Sequence, residues 1–96
     1  MSVNVVVNFC ASDGNAEGLK QLLERGRDIS RTSPGCESFE LYQRQDDPNK
    51  FVFLETWASI EAHHQNMAEK IVASGHLEKV LPLLALLPDN GVLELV

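Results

Sequence analysis

Apolar and polar residues alternate from Val3 onward. Val3, Val5, Val7 and Phe9 interleave with Asn4, Val6, Asn8 and Cys10. That period of two predicts a strand over 3–11 with one apolar face and one mixed face. Ser12, Asp13, Gly14 and Asn15 break it, and Asp13 or Asn15 can cap a helix starting at Ala16. The period then changes: Leu19, Leu22, Leu23 and Gly26 fall on one stripe of a helix over 16–32, with charged residues around the rest. Pro34 restricts Ser33 to extended backbone and ends that helix. Alternation returns over 36–45, where Phe39 and Leu41 share a face and Ser38, Glu40 and Tyr42 share the other with Cys36. Asp46, Asp47, Pro48 and Asn49 form a turn, and a partner strand occupies 51–57. Phe51, Phe53, Glu55 and Trp57 point one way; Val52, Leu54 and Thr56 point the other. Ser59 is placed to cap a helix over 59–74, broken at Gly75. A further helical run is expected over 76–87, with Leu77, Val80, Leu81, Leu84 and Leu87 on its stripe and Pro82 in its first turn or at a kink. Pro88 to Gly91 reads as a turn and 92–96 as a last strand.

The order is strand, helix, strand, strand, helix, strand: a split βαβ, ferredoxin-like α+β fold in a single domain over 1–96. Helices on one face of a four-stranded antiparallel sheet leave the other face uncovered. Two sheets facing each other would cover both, which predicts a dimeric α+β barrel.

Composition narrows the function. The net charge is −6, and the eight Lys and Arg are scattered, so no basic patch is available for a nucleic-acid partner. No apolar run approaches the roughly 20 residues that span a bilayer, and the N-terminal residues lack the basic flank of a targeting segment. The expected setting is the cytoplasm, with Cys10 and Cys36 as reduced, buried thiols.

Three groups could carry chemistry. Trp57 and Glu55 share a face of the third strand; Trp57 suits a packing anchor or the wall of a substrate cleft. Glu55 on a partly apolar face needs a partner or a raised pKa, and could serve as base or acceptor. His63, His64 and His76 form the second group. Adjacent residues on a helix point about 100° apart, so at most one of His63 and His64 is expected to face a cleft. Neither metal-ligand spacing nor a phosphate loop is present, so no metal and no cofactor are expected. Asn4 and Asn8 form the third: amides within a strand suit a contact with a neighbouring chain, or donors that steady an oxyanion.

Pro34-Gly35-Cys36, Asp46-Asp47-Pro48, Phe51-Val52-Phe53 and the spaced set Glu55, Trp57, Ser59, Glu61 and Ala62 together resemble the antibiotic biosynthesis monooxygenase family. The resemblance covers nearly the whole chain and implies a ferredoxin-like homodimer with a ligand cleft between sheet and helices. Its enzymes include cofactor-independent monooxygenases acting on anthrones and quinols. Many members carry a His nine positions after the Trp, where this chain has Asn66, and a Pro-His pair whose nearest match here is Gly75-His76. Haem-degrading relatives use a first-strand Asn, a helical Trp and a later His; Asn8 and His76 match two of these, and the helical Trp is missing. The expected function is oxidation of a small aromatic or quinol-type substrate with O₂. His76, His64 and Asn8 are the expected catalytic residues, and Trp57, Glu55, Asn66 and Phe39 the expected substrate contacts. The alternatives are a non-catalytic dimeric binding module and an isomerase acting on a small carbonyl compound.

Overall fold

The computed structural model describes residues 2–96. Its main elements run β1 (Val3–Cys10), α1 (Ala16–Arg31), β2 (Cys36–Gln43), β3 (Lys50–Trp57), α2 (Ile60–Asn66), α3 (His76–Val80) and β4 (Asp89–Leu93). A π-helical segment, Met67–Val72, continues α2, and a 3₁₀ turn, Leu81–Leu83, continues α3. The four strands form one antiparallel sheet in the order β2-β3-β1-β4. This is the expected ferredoxin-like α+β arrangement.

All the helices lie against one face of the sheet. Val5, Val7 and Phe9 of β1 meet Phe39 of β2, Phe51, Phe53 and Trp57 of β3, and Leu19 and Leu23 of α1 in one core. Phe53 makes edge-on contacts with Phe9 and Phe39, at ring separations of 5.2 and 4.7 Å. The other face carries Asn4, Val6, Asn8, Glu40, Tyr42, Val52, Leu54 and Thr56, part-buried or exposed. The single chain leaves it uncovered, as the one-sided order of elements requires.

Several local details differ from the sequence pattern. A bulge between Cys36 and Ser38 pairs Cys36 with Trp57, which moves Cys36 from the Ser38 face to the core face. Among the described residues, both cysteines are free thiols, and each is only partly buried. Neither Asp13 nor Asn15 caps α1 through its side chain; Asn15 donates instead to Ser12 Oγ at 2.7 Å. Ser59 does cap α2, accepting from the Ala62 amide at 3.2 Å. The last helical run stops at Leu83 rather than Leu87. Pro82 allows only a tight 3₁₀ turn after α3. Leu84 then bridges Ala11, while Leu86 and Leu87 are exposed. Asp89, Asn90 and Gly91 pair with β1 rather than forming a turn, and β4 ends at Leu93. Among the described residues, no helix is long and apolar enough to cross a membrane.

Candidate functional site

Alternation along β3 carries Glu55 to the core side of the sheet, where it is 4% exposed. A carboxylate out of water needs donors. Trp57, two residues on and on the same face, donates from Nε1 to Glu55 Oε1 at 2.8 Å. The chain then turns at Ser59 into α2, which brings His63 over the same carboxylate. His63 Nδ1 stands 3.4 Å from Glu55 Oε1. The alignment at that distance falls short of a hydrogen bond, and Nδ1 is left buried without a partner among the described residues. An imidazole nitrogen and a carboxylate oxygen thus share a desolvated corner. Groups in that condition gain most from a proton or donor brought by a bound molecule. The His63 ring lies 5.8 Å from Trp57 and 5.7 Å from His64.

Glu55, His63 and His64 face a cavity of about 520 Å³ between the sheet and the helices. Val5, Val7, Phe9, Phe39 and Phe53 form its floor on the sheet side; Leu23, Met67, Ile71, Leu77 and Val80 form much of its roof. Asn90, Gly91 and Val92 of β4 close one side. Size and apolar lining suit a small organic ligand, with a few convergent polar groups to orient it.

His76 and Asn66 complete the polar set. His76 opens α3 after Gly75, whose φ of 82° makes the reversal between the π-helical segment and α3. Its ring is buried against Gly26 of α1, where a Cβ would come within 2.9 Å of Nε2. Desolvation holds the His76 pKa below the ordinary 6.5; Arg25 and Lys79 push the same way, and a backbone hydrogen bond at Leu22 opposes them. His76 is therefore a neutral imidazole near pH 7. Asn66, at the last turn of α2, is 3% exposed. Its Oδ1 accepts from Ser33 Oγ at 2.6 Å, and its Nδ2 donates to Ser30 Oγ at 3.1 Å. The amide thereby ties α2 to the end of α1.

The cavity brings together Phe39, Glu55, His64, Asn66 and His76. Trp57 is fully buried behind Glu55 and reaches the site only through its hydrogen bond to that carboxylate. Asn8 is exposed on the uncovered face, between Val52 and Asp89, because β1 turns its odd-numbered residues toward the helices. It is not at the cavity, and an oxyanion role there is ruled out by the pleat. His63 and His64 both line the cavity, His63 deep and His64 at the exposed mouth, since a wide cleft spans the angle between them. Ser30 also lines the cavity, continuing the buried stripe Leu19, Leu23, Gly26 of α1. A serine on an apolar stripe at helical spacing is the sequence signal for that placement. Among the described residues, no group of three His, Cys, Asp or Glu side chains is gathered that could hold a metal ion.

Fold and cavity define a small α+β domain with an apolar cavity between sheet and helices. The family model for antibiotic biosynthesis monooxygenases matches residues 2–76, and the chain belongs to that family. The structure of Rv0793 from Mycobacterium tuberculosis is similar at 23% identity and a TM-score of 0.88, over 100% of this chain and 96% of that one. PA3566 from Pseudomonas aeruginosa is similar at 22% identity and 0.84, over 99% and 94%. A variant of SnoaB, a cofactor-independent oxygenase from Streptomyces nogalater, is similar at 18% identity and 0.83, over 98% and 92%. At these identities the likeness is one of fold. No curated protein matches the chain.

Proposed function

We propose that this protein is a monooxygenase that oxidises a small aromatic or quinol-type substrate with O₂, drawing the electrons from the substrate itself. The observation that carries this reading is the Glu55–His63 pair, a buried carboxylate and an unpartnered imidazole nitrogen 3.4 Å apart at the wall of an apolar cavity. His63 takes an acidic proton from the bound substrate, and Glu55 stabilises the imidazolium that results. Trp57 holds the carboxylate still. The carbanion passes its electrons to O₂ and forms a hydroperoxide. Loss of water then leaves a carbonyl, so a methylene plus O₂ becomes a ketone plus water. The His63 imidazolium returns its proton to the departing oxygen, and His64 at the exposed mouth can relay protons from water. The apolar walls keep bulk water from the carbanion. The same reading has the chain working as a homodimer through its uncovered sheet face.

The test is oxygen uptake with a panel of anthrones, dihydroquinones and catechols, against heat-denatured protein. Uptake with one substrate class is expected, reduced by about 10²-fold or more in His63→Ala, the scale of a lost general base. No uptake above the blank across the panel would overturn the reading in favour of a binding module.

A further inference from the structure

The Ser30–Asn66 contact leaves hydrogen-bonding capacity unused. A side-chain amide carries two N–H donors, and a serine hydroxyl carries one. Asn66 Nδ2 spends one proton on Ser30 Oγ. Ser30 Oγ accepts that bond, and among the described residues nothing accepts its own proton. Asn66 Oδ1 is occupied by Ser33. Both residues are almost wholly buried, at 1% and 3% exposure, and both line the cavity. Two protons on atoms 3.1 Å apart are therefore left without acceptors, among the described residues, beside an apolar space.

We infer that Ser30 and Asn66 form a two-donor seat for one oxygen atom of the substrate, a carbonyl or phenol oxygen. Resting on the reading of this cavity as the substrate site, the inference adds what holds the substrate's oxygen and sets its orientation. The seat has a fixed relation to the acid–base pair. Asn66 comes three residues after His63, so the two lie on one side of α2, about one 5.4 Å turn apart. An oxygen seated at Ser30 and Asn66 thus places a proton elsewhere on the same ring system before His63. Charge left by that proton can delocalise onto the seated oxygen, where the two donors meet it. Asn66 is held for this role by Ser33, and Ser30 lies on the buried stripe of α1 one turn after Gly26, against which the His76 ring packs. Among the described residues, no Lys or Arg lines the cavity, so the seat favours a neutral ketone or phenol over a carboxylate or phosphate.

The experiment compares 1-tetralone with tetralin, which lacks the oxygen, by calorimetric titration in nitrogen-purged buffer. The unaltered protein should bind tetralone about tenfold more tightly, the scale of one or two net hydrogen bonds. Ser30→Ala should cut the tenfold preference to about threefold while leaving tetralin binding unchanged, as expected for loss of one of two donors. Equal binding of both probes by the unaltered protein, or an undiminished preference in Ser30→Ala, would overturn the inference. The unaltered protein decides the first of these alone, even where the variant folds poorly. Turnover does not enter the measurement. A tetralone preference without oxygen uptake on the substrate panel would therefore sink the oxygenase reading and keep the seat.

Discussion

Trp57 shows how one residue can matter to a site it does not touch. Its indole fills the core at 0% exposure while its N–H holds Glu55 in place. Trp57→Phe keeps most of the apolar volume and removes that donor from a buried carboxylate. We expect a loss of about 1.5–3 kcal/mol in urea unfolding, the scale for a hydrogen bond to a charged group. Gly26 behaves contrary to helix propensity. Gly→Ala inside a helix ordinarily stabilises by about 1 kcal/mol, yet here the new Cβ would stand 2.9 Å from His76 Nε2. Gly26→Ala should lower the Tm, and the Gly26→Ala/His76→Ala double variant should recover part of that loss, read as non-additivity in a thermal cycle. His76 also predicts a pH dependence. Its native pKa lies below 6.5, so as pH falls below 6.5 the unfolded chain binds a proton that the native ring refuses. Stability should therefore fall as pH drops through that window, and His76→Leu should flatten the slope in urea unfolding between pH 5 and 8. At this scale, the inward placement of Glu55 could be read from alternation alone. Its contact with His63 could not, because it depends on the angle at which α2 leaves β3 at Ser59.

At the scale of elements, the first strand, the hairpin and the first helix keep to their periodicities closely, and the later segments do not. The difference has a local cause. Strands β1, β2 and β3 each bury one face, so their patterns are enforced by packing. Beyond Gly75 a leucine-rich run looks helical, but Pro82 removes an amide and Leu84 finds a bridge to Ala11 instead. The bulge at Glu37 is likewise silent in the pattern, since it inserts one residue without changing composition. The cap of α2 was legible and can be tested. Ser59→Ala should cost about 1 kcal/mol in urea unfolding. It should also reduce oxygen uptake, because the cap fixes the helix turn that carries His63.

For the whole molecule, the decisive asymmetry is a sheet with helices on one side only. It was predictable from element order, and the exposed Tyr42 and Leu54 on the bare face are its visible result. We expect sedimentation to give a dimer, and Leu54→Arg to shift it toward monomer without changing the far-UV circular dichroism. The position of Asn8 on that face, rather than in the cavity, belongs to the same geometry. The proposed chemistry turns on proton removal at the Glu55–His63 corner, and that step can be isolated from oxygen chemistry. The measurement is hydrogen–deuterium exchange at the methylene of anthrone in anaerobic D₂O, monitored by NMR. Exchange well above the protein-free rate is expected, abolished in His63→Ala and strongly reduced in Glu55→Gln. Exchange no faster than the protein-free rate, or unaffected by either substitution, would refute proton removal at this corner.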